Sequence, residues 1–135
     1  MTAYPILYDP DCGFCRVCLA VLLRWDRHGR LRPVALGTEE AARLLEGMPK
    51  AEQMASWHLV THDGTVRSAG AAFSPLLRLL PAGRPLAWLT ERFPDASERG
   101  YRWVADHRTA LSRALPAALE RWADRVISES RRDGR

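Results

Sequence analysis

The sequence predicts an α/β fold: a sheet of about four strands flanked by helices, with additional helices toward the C-terminal end. Three observations predict it. An apolar run at Tyr4–Tyr8, a helix-period run over residues 13–27 and a second apolar run over residues 31–36 alternate as strand, helix and strand. Two further short runs, residues 57–61 and 65–68, flank His62-Asp63-Gly64, and Asp-Gly between such runs signals a hairpin. From residue 71 onward the apolar spacing is helical.

Each element has a local reason. Pro5 is acceptable near the start of the first strand. His28-Gly29 ends the first helix, since glycine takes the left-handed conformation that terminates helices. A strand, a crossover helix and a strand make a parallel unit, right-handed in nearly all cases. Thr38 reads as an N-cap with Glu39 and Glu40 in the first turn, opening a short helix through Leu45 that Gly47-Met48-Pro49 breaks. Residues 50–55 have no decisive pattern. Residues 71–80 read as a helix with Pro75 in its first turn, and residues 86–92 as another that stops at Phe93-Pro94. Asp95 with Glu98 resembles a capping box opening a helix over residues 96–115. Pro116 suits the first position of a last helix, whose Leu119, Trp122 and Val126 form a narrow apolar stripe before residues 128–135 fray. A crossover unit, a hairpin and helices together fit a thioredoxin-like sheet.

The 135 residues suffice for a single domain over 1–135, with residues 95–135 as its helical C-terminal extension. The apolar share of 47% and charged share of 27% are those of a globular protein, and no apolar run reaches the length of a membrane span. No basic region followed by an apolar stretch marks a signal peptide, so a cytoplasmic location is expected. The net charge of +4 rests on arginines scattered among acids, with Lys50 the sole lysine. Nucleic-acid binding would call for a clustered basic stripe with stacking aromatics, and is not expected. Three cysteines in a reducing compartment argue against a structural disulfide framework.

Two of those cysteines define the chemistry. In Asp9-Pro10-Asp11-Cys12-Gly13-Phe14-Cys15, a Cys-x-x-Cys pair sits where a strand gives way to a helix. Unpaired N–H groups and the positive end of the helix dipole stabilise a thiolate there. Arg16 favours the thiolate, whereas Asp9 and Asp11 oppose it by like charge. Asp11 is suited to cap the helix, and Asp9, at the strand end, to pass a proton as the disulfide opens. Helical phase puts Phe14, Val17, Cys18, Val21, Leu22 and Trp25 on one stripe and Arg16, Ala20, Arg24 and Arg27 opposite. That phase predicts an accessible attacking Cys12, a more shielded resolving Cys15 and a buried, inert Cys18.

Asp9-x-x-Cys12-x-x-Cys15 resembles the motif of the DCC family, predicted thiol–disulfide oxidoreductases with a thioredoxin-like fold. The resemblance extends through the apolar helix ending in an Asp-Arg turn, the strand at residues 31–36, the hairpin, and a Tyr101-x6-Arg108 segment, roughly residues 4–110 in all. The segment after the hairpin departs from the family's Gly-x-Asp-Ala, reading Ser68-Ala69-Gly70-Ala71. No proline stands directly before Trp57, where thioredoxins carry a cis-proline. Tyr101 and Arg108 read as a packing ring and a surface or salt-bridged arginine.

The expected function is thiol–disulfide exchange through Cys12 and Cys15, with Asp9 and Asp11 tuning proton transfer. It calls for no cofactor, and its partners are a protein or small-molecule disulfide and a thiol reductant. Two other readings stay open. In a non-catalytic module, the three cysteines with His28, His58, His62 or His107 would bind metal, or the last helix's stripe would dock a partner. In a thiol-dependent peroxide reductase, Cys12 would be oxidised to sulfenic acid and resolved by Cys15.

Overall fold

The computed structural model describes residues 3–133, and its sheet is four-stranded and mixed, in the order β2-β1-β3-β4. Strand β1 (Tyr4–Tyr8) pairs in parallel with β2 (Leu31–Ala35), from Tyr4 opposite Leu31 to Tyr8 opposite Ala35. Pro33 is tolerated because β2 is an edge strand. On its other side β1 pairs antiparallel with β3 (His58–Val60), which forms the predicted hairpin with β4 (Val66–Ser68). Asp63 closes that turn by accepting the Thr65 N–H, and Gly64 adopts φ +83°.

The crossover is helix α1 (Gly13–Trp25). Its exit is held by buried Asp26, whose carboxylate accepts the N–H groups of Arg30 and Leu31 at 3.0 and 2.7 Å. Thr38 caps α2 (Glu39–Leu44) as expected, accepting the Ala41 N–H. The ambiguous segment forms α3 (Lys50–Ala55). After a 3-10 turn at Ala69–Ala72 come α4 (Phe73–Leu79) and α5 (Arg84–Arg92). Pro75 falls in the first turn of α4. Next come α6 (Pro94–Ala114) and α7 (Ala117–Asp133).

Three expectations change here. Phe93 rather than Asp95 caps α6: Pro94 takes the first helical position, where its missing N–H costs nothing. Helix α7 starts one residue after Pro116 and continues to Asp133 instead of fraying from 128; residues 134 and 135 lie outside the described residues. The apolar side of α7 is no free docking stripe, because Ala123, Val126 and Ile127 are buried.

Each sheet face has its own apolar layer. Ile6, Tyr8, Leu31 and Leu59 pack with Leu19 of α1, Leu76 of α4 and Ile127 of α7. Leu7, Val34 and Val60 pack on the opposite face with Ala41 of α2 and Leu45. A third cluster joins Val17 and Ala20 of α1 to Ala123 and Val126 of α7. The small residues let the two helices approach closely. At Gly13 the approach is so close that a Cβ would stand 2.2 Å from a carboxylate oxygen of Glu120. Arg16 binds Glu120 and Asp124 and also donates to the Pro10 carbonyl at 2.8 Å, tying the turn before α1 to α7. Gly70 does the same for α6: a Cβ there would lie 2.9 Å from the Cα of Glu98.

His58, on β3, is buried and fully satisfied. Its Nε2–H donates to the Gln53 carbonyl, so Nδ1 accepts from the Ser68 hydroxyl. Burial lowers its pKa, and its role is structural.

Candidate active site

The site forms where β1 ends and α1 begins. Tyr8 closes the strand, Asp9-Pro10-Asp11 turns the chain, and Cys12 becomes the N-cap of α1. Its extended backbone (φ −98°, ψ 108°) aims the side chain back over the helix end, where Sγ accepts the Cys15 N–H at 3.3 Å. Asp11 therefore does not cap the helix, contrary to the sequence expectation. A sulfur one residue nearer the helix already occupies that place, and Asp11 is exposed. Asp11 instead donates its N–H to Oδ1 of Asp9 at 2.9 Å. The other oxygen of Asp9 lies 4.0 Å from the guanidinium of Arg108 on α6.

The three sulfurs divide differently from expectation. Cys12 is buried, with 8% of its surface exposed, because α6 places the Ser112 hydroxyl 3.8 Å from its Sγ. Cys15 is half-buried. Its thiol is pushed up to about 12, first by burial and then by its hydrogen bond to Cys12, with the Cys12 charge adding to the effect. Arg108 pulls it down and Asp9 pushes it up. Cys18, expected at the core, is exposed. Its thiol nonetheless rises, mainly by desolvation, because it lines an apolar groove.

That groove explains the error. Phe14, Cys18 and Val21 line an apolar hollow of about 600 Å³ between α1, α4 and α6, bordered by Leu22, which packs against the core. The buried flank of α1 is the neighbouring one, with Val17 and Ala20 under α7. Trp57, Phe73, Leu76 and Val104 complete the apolar walls, while Asp9, Ser56, Tyr101 and Arg108 add the polar groups. Cys15 and Cys18 open to the groove; Cys12 does not line it.

Tyr101 is a packing ring and Arg108 a salt-bridged arginine, as read from the sequence, and both also line the groove. Tyr101 packs edge-on to Phe73, and burial raises its phenol. Ser56 and Trp57 form the loop entering β3, and no peptide bond among the described residues is cis. Ser112 escaped the sequence reading entirely. Only the helical repeat linking Tyr101, Arg108 and Ser112 along α6 could have pointed to it. Among the described residues, no three His, Cys, Asp or Glu side chains are placed to hold a metal ion. No helix among them is long and apolar enough to cross a membrane.

The arrangement juxtaposes a helix-capping sulfur, a second thiol whose backbone N–H it accepts, a carboxylate, an arginine and an apolar groove. Comparison with known families matches residues 6–114, a span that includes every one of these groups, to the DCC1-like thiol-disulfide oxidoreductases. No curated protein and no solved structure matches the chain. With most of its length matched, the chain belongs to the DCC1-like thiol-disulfide oxidoreductase family.

Proposed function

We propose that this chain exchanges disulfides through Cys12 and Cys15, with Cys12 as the attacking sulfur. The observation that carries the reading is the helix cap itself: Cys12 Sγ accepts the Cys15 N–H at 3.3 Å. That contact strengthens when Cys12 is a thiolate. Cys15, held protonated by burial, is suited to resolve rather than attack.

In the first step the Cys12 thiolate attacks one sulfur of a substrate disulfide. A Cys12–substrate bond forms, and the other substrate sulfur leaves as a thiolate that takes up a proton. Cys15 then loses its proton, attacks Cys12 Sγ and expels the second substrate thiol. The substrate gains two electrons and two protons, and Cys12–Cys15 ends as a disulfide. Asp9 is the proton acceptor for Cys15, oriented by the Asp11 N–H and Arg108. The Asp11 carboxylate is exposed and tunes the local charge from outside. The substrate disulfide reaches the small exposed part of Cys12, and the apolar groups flanking that disulfide lie in the groove beside Cys15. A thiol reductant then reopens the pair. A reducing, cytoplasmic setting accords with three free thiols.

Cys12→Ser is expected to abolish exchange with a model disulfide, and Cys15→Ser to accumulate a mixed disulfide at Cys12, detected by mass spectrometry. Undiminished exchange by Cys12→Ser overturns the proposal.

A further inference from the structure

We infer that Ser112, on α6, donates a hydrogen bond to the Cys12 sulfur and holds it in the thiolate form; this rests on Cys12–Cys15 being the exchanging pair. The Ser112 oxygen accepts the Phe14 N–H at 3.1 Å and lies 3.8 Å from Cys12 Sγ. A hydroxyl has one proton and two lone pairs. Since the Phe14 N–H occupies the oxygen as an acceptor, the hydroxyl proton is free to point elsewhere, and Cys12 Sγ is within its reach.

The first turn of α1 thereby acquires a cap in two parts. Cys12 takes the N–H of Cys15, and Ser112, from a helix 98 residues further on, takes the N–H of Phe14 and bridges back to the sulfur. Both the Cys15 N–H and the Ser112 O–H favour a negative sulfur over a neutral one. In the Cys12–Cys15 disulfide that sulfur is neutral and a weaker acceptor, so Ser112 stabilises the reduced pair more than the oxidised one. The charged and titratable groups around Cys12 are Cys15, Cys18 and Arg16 on α1, Asp9 and Asp11 on the turn, Glu120 on α7 and Arg108 on α6. The variants below leave all of them in place.

The test compares wild type with S112A and with the isosteric pair S112T and S112V, which differ only in the hydroxyl. Two quantities are read: the pH midpoint of Cys12 alkylation by iodoacetamide in the reduced protein, and the Cys12–Cys15 equilibrium in dithiothreitol buffers. Loss of the hydroxyl is expected to move the alkylation midpoint upward. It is also expected to make the pair more reducing by roughly tenfold in the equilibrium constant, about 30 mV. S112T is expected to match wild type and S112V to match S112A. Should S112A fold poorly, the Thr/Val pair decides, because its members share one shape. Equal behaviour of S112T and S112V, or an unchanged midpoint without the hydroxyl, overturns the inference. A wild type that forms no Cys12–Cys15 disulfide instead overturns the exchange reading, and the alkylation profile still tests Ser112.

Discussion

The two apolar flanks of α1 are neighbours on one helix and have opposite fates. One flank, Val17 and Ala20, is sealed by α7 through Ala123 and Val126, and Arg16 clamps its edge to Glu120 and Asp124. The other, Phe14, Cys18 and Val21, faces a hollow that α6 borders without filling. Sealing contributes stability, since apolar area is removed from water on folding. The open flank forgoes that contribution, and Val21 keeps 52% of its surface exposed. Apolar surface left open beside Cys15 is surface available to a ligand. Sealed and open apolar surface are thus divided between two sides of one helix.

This division can be broken or sharpened by substitution. The largest effect is expected on the sealed flank. Ala123→Asp puts an unpaired carboxylate into a fully buried position and is expected to cost about 3 kcal/mol or more in urea denaturation. A cost below about 0.5 kcal/mol would mean that α7 does not seal α1.

Next comes the pH dependence set by Cys15, which belongs to the open flank yet is desolvated. Its folded pKa is raised from 9.0 to about 12. The folded state therefore retains a proton that the unfolded chain gives up. The resulting stabilisation is complete below about pH 9 and is lost as pH rises toward 12. Thermal unfolding of the reduced protein across this range is expected to show the decline, and Cys15→Ala to flatten it. An identical slope in the variant would show that Cys15 is not desolvated.

Val21→Ser addresses the open flank directly. Its stability is expected to stay within about 0.5 kcal/mol of wild type. Its kcat/KM toward an apolar disulfide peptide is expected to fall roughly fivefold, with a polar disulfide unaffected. Equal losses for both substrates would separate the groove from recognition. The smallest effect belongs to the exposed Arg24–Glu129 pair at 3.8 Å. Arg24→Gln is expected to change stability by no more than about 0.5 kcal/mol, because solvent screens such pairs.

What was legible in the sequence follows the same line. The strand–helix–strand unit, the Asp63-Gly64 hairpin and the Thr38 cap are local patterns, and the structure has all three. The Cys-x-x-Cys pair at the helix start was equally local. Which flank of α1 would be sealed was not, because α7, 100 residues away, makes that choice. Helical phase placed Cys18 at the centre of an apolar stripe, and it is exposed because nothing packs there. Ala20 looked like part of a polar side, but its small size is what admits Ala123. Cys12 looked accessible because no local pattern announces a serine from α6 against its sulfur. The cap fell to Cys12 rather than Asp11 through a one-residue difference in where the helix begins, a margin that residue preference does not resolve.

A redox titration with site mapping tests the central claim most directly. The protein is equilibrated across dithiol/disulfide buffers, its thiols are alkylated, and the products are assigned by mass spectrometry. A reversible two-electron transition confined to Cys12 and Cys15, with Cys18 reacting in the native protein throughout, is the predicted result. Failure to form a Cys12–Cys15 disulfide in any buffer, or a transition that pairs Cys15 with Cys18 instead, would contradict the account.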